Sequence, residues 1–198
     1  MLLEKRIDRR SALLASLLSV VGAGVVGRTR SVNAQGQGDG RTLVAYLSRS
    51  GNTRVVAGQL SRRYRADLFE IRTATPWPED YEEMVAWASR LREAQATPEL
   101  ADNVADIARY ETIFLGFPIW GSALPAPMRT FLTTHDLSGK KVVPFIMHGG
   151  YGPGSAPETL SALAPRARFL NSFVLQGDQE RDTLSRLSAW LREVEPEL

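Results

Sequence analysis

Thr42-Leu-Val-Ala-Tyr-Leu47 is an unbroken, mostly apolar run that stops at Ser48-Arg-Ser-Gly-Asn-Thr53, and a helix-type pattern follows at once. Such a run suits a strand buried on both faces, which is the situation inside a parallel sheet. The hydroxyls, the glycine and the Asn-Thr pair then read as a tight loop opening a helix. Backbone N–H groups and hydroxyls converge there on one point, where an anion can sit. The same residues also describe a hydroxyl-capped helix start that holds no ligand. The loop has neither the lysine of a nucleoside triphosphate loop nor the GxGxxG spacing of dinucleotide binders. A monophosphate held here would be neutralised by hydrogen bonds and the helix dipole.

Strand-like and helix-like segments alternate from Arg41 onward. After the first strand, a helix from about Thr53 to Arg65 places Val56, Leu60 and Tyr64 on one face. Ala66–Ile71 reads as the second strand. A helix over Asp80–Ala94 is expected to bury Tyr81, Met84, Val85, Ala88 and Leu91, after which Ala96–Asp106 is irregular. Thr112–Gly116 is the third strand and a central one. Pro125–Thr134 is a helix with Met128, Phe131 and Leu132 inward, its proline suited to the first turn. Lys141–Met147 is the fourth strand, Pro157–Ala164 a helix and Phe169–Leu175 the fifth strand. A last helix over Gln179–Val194 is expected to bury Leu184, Leu187, Trp190, Leu191 and Val194. This rhythm predicts an α/β, doubly wound open sheet covered on both faces. Ligands of such sheets bind beyond the strand carboxyl ends, where strand order reverses. The loops after strands one, three and four should meet there.

The second of these loops is Gly116-Phe-Pro-Ile-Trp-Gly-Ser-Ala-Leu-Pro125. The face of Trp120 can stack on a flat ring, or the indole can pack beneath its own loop. Gly121 beside it gives a peptide free to reorient. The third is His148-Gly-Gly-Tyr-Gly-Pro-Gly154-Ser155, whose glycines let the backbone approach a ring edge. Tyr151 is a candidate second aromatic wall; the alternative is a mobile surface loop. His148 reads as a strand-end residue satisfied by backbone, His135 as an exposed charge at a helix C-terminus. Trp77 packs a loop or lies near the ligand edge, whereas Trp87, Trp190 and Arg62-Arg63 read as packing residues and a solvated helix face.

Leu47-Ser-Arg-Ser-Gly-Asn-Thr53, Tyr110–Trp120, Phe131-Leu, Leu137-Ser-Gly-Lys140 and Phe145–Gly154 together resemble the flavodoxin family, most closely a short flavodoxin-like branch with a Pro-Ile-Trp loop. The resemblance covers about Thr42 to Leu191. It implies a three-layer flavodoxin-like sandwich, with a five-stranded parallel sheet in order 2-1-3-4-5, and bound FMN. By position, Ser48, Ser50, Gly51, Asn52 and Thr53 would hold the FMN phosphate. Pro118, Ile119, Trp120 and Gly121 would line the isoalloxazine, and Gly149, Gly150, Tyr151 and Gly154 would border its pyrimidine side. The chain departs from that branch at Gly121, often a second Trp, at His148, often Ser or Thr, and at Tyr151, often a small residue.

Residues 1–34 have the parts of an export signal. Lys5, Arg6, Arg9 and Arg10 lead an uncharged run from Ala12 to Val26, and Val32-Asn33-Ala34 offers small-residue cleavage before Gln35. Arg9-Arg10 followed by Leu13 and Leu14 resembles the twin-arginine signal, with Asp8, Ala12 and Leu14 departing from it. The run is short for a membrane span. Residues 35–40 form a flexible lead-in, and residues 41–198 the domain. The leader holds six basic and two acidic side chains of the chain's 24 and 22, so the remainder is net −2 and the formal +2 comes from the leader. That balance argues against nucleic acid as a partner. The absence of cysteine excludes disulfides, thiolate metal sites and cysteine nucleophiles.

These features lead to an exported, periplasmic FMN flavoprotein that passes electrons to a redox partner protein or a small-molecule acceptor, with no stable membrane span once the signal is removed. An FMN-dependent NAD(P)H or quinone-type reductase, with His148 or Tyr151 donating a proton or shaping the acceptor pocket, is one alternative. A flavin-free binding module on the same fold is another.

Overall fold

The computed structural model describes residues 41–177 and 180–198; the expected leader and lead-in lie outside the described residues. Strand β1 (Thr42–Tyr46) runs parallel to β2 (Asp67–Glu70) on one side and to β3 (Thr112–Pro118) on the other. β4 (Lys141–His148) pairs with β3, and β5 (Arg168–Phe169) and β6 (Phe173–Gln176) both pair with β4. The order is 2-1-3-4-5, all parallel, as expected. Helices α1 (Asn52–Tyr64) and α5 (Glu180–Val194) cover one face. The other carries α2 (Tyr81–Glu93), α3 (Ala126–Thr134) and α4 (Ala156–Leu163). No helix among the described residues is long and apolar enough to cross a membrane.

Strand pleating divides the core into two. Leu43, Ala45 and Leu47 join Ile113, Leu115 and Phe117 and the inner sides of α3 and α4. Val44 and Tyr46 point the other way and join Phe114, Phe145 and the inner sides of α1 and α5. Both faces of β1, β3 and β4 are buried, which is why those strands read as continuous apolar runs. Gly116 on β3 has a packing reason: a Cβ there would fall inside the Phe145 ring.

Four sequence expectations change. The fifth strand is split at Leu170–Ser172, where the Asn171 carbonyl leaves the ladder and accepts the Trp190 indole N–H at 3.1 Å. Helix α2 buries only Met84; Tyr81 and Val85 are exposed, because α2 packs against α3 and the loop after β3 rather than broadly over the sheet. Leu184 is exposed on α5, whereas Leu187, Trp190, Leu191 and Val194 are buried as expected. His135 is not an exposed charge: it is buried at the end of α3. Its Nε2 accepts from the Val104 N–H at 3.1 Å, which leaves Nδ1 to donate to the Phe131 carbonyl at 2.9 Å.

Gly116→Ala should lower stability by about 1–3 kcal/mol through overpacking, with Phe145→Leu restoring part of the loss; urea midpoints measure both. Burial pushes the His135 imidazole below its ordinary value of 6.5, so the unfolded chain takes up this proton before the folded chain does. The folded state therefore loses stability as the pH falls below that value. The urea midpoint should drop between about pH 7.5 and pH 5.5, and His135→Asn should flatten that slope while lowering stability at both pH values.

Candidate functional site

The Leu47 N–H bonds to the Gly116 carbonyl at 2.8 Å, the last rung between the first and third strand segments. Beyond it the chains part. The loop after β1 turns to α1 on one face, and the loop after β3 turns to α3 on the other. A cavity of about 370 Å3 opens between them, a volume typical of small-molecule sites.

The first loop forms its anion-directed end. Gly51 precedes α1 with φ +98°, a left-handed conformation that glycine adopts without steric cost, and as the residue before the helix it offers no capping side chain of its own. The buried Ser48 hydroxyl braces the loop from behind, accepting the N–H groups of Gly51 at 3.2 Å and Arg54 at 3.3 Å. The N–H groups of Asn52 and Thr53 have no partner among the described residues, as expected of a helix start facing open space. Ser50, Asn52 and Thr53 line the cavity. Asn52 also ties this loop to the end of β6, its Nδ2 donating to the Gly177 carbonyl at 2.5 Å.

The second loop contributes Pro118, Ile119 and Trp120. Trp120 is held edge-to-face by two indoles, Trp77 at 5.9 Å and Trp87 at 6.3 Å. It both lines the cavity and packs under its loop. Trp120 and Ala123 exchange two backbone hydrogen bonds at 3.2 Å, and Gly121 and Ser122 between them have φ near +60°, the pattern of a type I′ turn. Gly121 is thus held rather than free to reorient, and the Arg92 guanidinium occupies the space a side chain there would need.

The third loop is anchored by His148, whose Nδ1 accepts the N–H groups of Gly150 at 3.0 Å and Gly152 at 3.2 Å. Nδ1 is therefore the unprotonated nitrogen. The satisfied strand-end role expected for His148 is what the backbone provides, and the ring still lines the cavity beside Gly149. The far end of this loop locks onto the second: the Ser155 N–H donates to the Ser122 carbonyl at 3.1 Å, and a Cβ on Gly154 would collide with that carbonyl.

A family model described as Flavodoxin matches residues 41–194. The chain belongs to the flavodoxin family. Among solved structures it is similar to a candidate flavoprotein from Bacteroides eggerthii, 28% identical with TM-score 0.67, covering 78% of this chain and 98% of that one. A candidate flavoprotein from Bacteroides uniformis is 27% identical with TM-score 0.67, covering 77% and 98%. A flavoprotein from Lactobacillus acidophilus, solved in complex with FMN, shares the fold at 21% identity and TM-score 0.60, covering 73% and 98%. No curated protein matches the chain.

Within this flavodoxin site, the structure brings Ser50, Asn52, Thr53, Pro118, Ile119, Trp120 and Gly149 to one cavity. Ser48 and Gly51 stand behind the wall and shape it, whereas Gly121, Gly150 and Gly154 shape the loops without lining the cavity. Tyr151 is not a second wall. It is 92% exposed, because His148 draws the N–H groups on either side of it inward and turns the residue between them out. Sequence reasoning missed Arg49, Tyr81, Met147 and Gly177 as lining residues. Arg49 was visible as the one charge in the first loop; Tyr81 was hidden by its fit to an apolar helix face.

Ser48→Ala should remove the acceptor for two loop N–H groups and cost about 1 kcal/mol, as loss of a helix-capping hydroxyl does. Thermal unfolding of the ligand-free protein checks this, and a variant as stable as wild type would show that the hydroxyl is not a brace.

Proposed function

We propose that the chain binds FMN in this cavity and transfers electrons outside the cytoplasm. One observation carries the reading: in a member of the flavodoxin family, a helix start with two unpaired N–H groups and a braced tryptophan meet at a single cavity on the carboxyl edge of the sheet. The donor set fits FMN. Unpaired N–H groups at Asn52 and Thr53, the Ser50 hydroxyl and the dipole of α1 suit a phosphate monoester. Trp120 offers an aromatic face already fixed by Trp77 and Trp87, and exposed Gly149 lets a ring edge approach the backbone.

Bound FMN would supply the redox chemistry, and the protein binding, orientation and electrostatics. Of the carbonyls in Trp120–Ser122, Trp120 accepts from Ala123 and Ser122 from Ser155. Gly121 is left as the carbonyl with no bond among the described residues and the candidate acceptor for a flavin N–H. Export rests on the Lys5–Arg10 cluster, the Ala12–Val26 run and the Val32-Asn33-Ala34 site. A reductase of small acceptors is the second reading, favoured by His148 and Tyr81, two groups able to exchange protons, on the cavity wall. NAD(P)H oxidation in the presence of a quinone separates the two.

The purified mature protein should show visible flavin absorption bands, or acquire them on soaking with FMN, and a Ser50→Ala/Thr53→Ala variant should lose most of them. A wild-type protein that stays colourless after the soak would refute the reading in favour of a flavin-free module.

A further inference from the structure

Arg49 is the only charged side chain among the described residues that line the cavity, and no carboxylate lines it. The nearby cations are directed elsewhere: Arg54 pairs with Glu70 at 2.5 Å, Arg72 with Asp102 at 3.4 Å, and Arg92 covers Gly121. Arg49 belongs to the first loop, between Ser48 and Ser50, yet its head reaches the start of α2. There Nη2 donates to the Glu79 carbonyl at 3.1 Å, and the guanidinium lies 5.7 Å from the centre of the Tyr81 ring. Tyr81 lines the same cavity and is 63% exposed, so its ring is open to the guanidinium.

An exposed arginine ordinarily samples many rotamers and contributes little to a fixed electrostatic field. Two tethers on one guanidinium change that, by holding a permanent positive charge at the cavity wall beside Ser50 and Thr53. A guanidinium has five N–H donors in a rigid fork. The Glu79 carbonyl takes one, and the rest remain for an anion. The other donors of this loop are hydroxyls and backbone amides, which with the helix dipole stabilise a phosphate but carry no full charge.

We propose that Arg49, steadied by Tyr81 and the Glu79 carbonyl, is the charge-selecting group of the cavity and makes it prefer a flavin phosphate monoester over the unphosphorylated flavin. This rests on the FMN reading above. Tyr81 acts through Arg49: its ring attracts the guanidinium at 5.7 Å and keeps the head near the loop rather than in solvent.

The test titrates ligand-free protein with FMN and with riboflavin, following quenching of flavin fluorescence at low and high salt. Arg49→Gln should weaken FMN binding about tenfold, as expected for loss of one charge-assisted hydrogen bond. Riboflavin binding should change by less than about twofold, since it carries no charge for the guanidinium to meet. Arg49→Lys should recover much of the FMN affinity, and the salt dependence seen for wild type with FMN should shrink in Arg49→Gln. An equal loss for both flavins would make Arg49 a mere strut between the loop and α2 and overturn the proposal, as would no loss for either. In both of those outcomes wild-type FMN binding still stands; if wild type binds neither flavin, the FMN reading falls and this proposal with it.

Discussion

The reversal of strand order between β1 and β3 is the constraint on which the site depends. From β1 the chain passes through α1 to β2 on one side, then returns across the sheet to β3 on the other. Two adjacent parallel strands therefore send their following loops to opposite faces. The hydrogen bond from Leu47 to Gly116 is the last contact before they separate. The gap that follows must be lined by whatever residues end β1 and β3, here Arg49, Ser50, Asn52 and Thr53 on one side and Pro118-Ile119-Trp120 on the other. The cavity is a product of topology, and the sequence at the two strand ends decides its chemistry.

The topology in turn depends on close packing at the centre of the sheet. Gly116 leaves room for the Phe145 ring against β3, in the core that also seats α1 and α5. A side chain there would push β4 away from β3, and β4 carries His148 and Gly149 into the cavity. A residue with no side chain, inside the sheet and not itself lining the cavity, thus bears on the spacing between two walls of the site.

Strand and helix periodicity made the architecture legible because β1, β3 and β4 are buried on both faces and α1, α3 and α5 on one continuous stripe. It failed where burial is decided by partners distant in the chain. His135 looked like a helix-end charge because its acceptor role involves Val104, in the irregular segment before β3. Tyr81 and Val85 fitted an apolar helix face, but α2 packs on α3 and the loop after β3, which leaves both side chains exposed. The three loops were legible as a site because their residue types are costly to place at strand ends without a use. The pairing of Arg49 with Tyr81 was not, since it joins the first loop to a helix that follows the next strand.

Helix α2 is better understood as a brace for the second loop than as a cover for the sheet. Met84 is its only buried residue. Three of its large side chains reach the functional edge: Trp87 packs edge-to-face on Trp120, Arg92 fills the space beside Gly121, and Tyr81 receives Arg49. The space that a side chain on Gly121 would need is filled by the Arg92 guanidinium. That contact supports the Trp120–Ala123 turn from behind while leaving Gly121 its left-handed conformation and its carbonyl unengaged. A turn supported in this way can hold an indole face in place before any ring arrives, so less ordering is left to be done on binding.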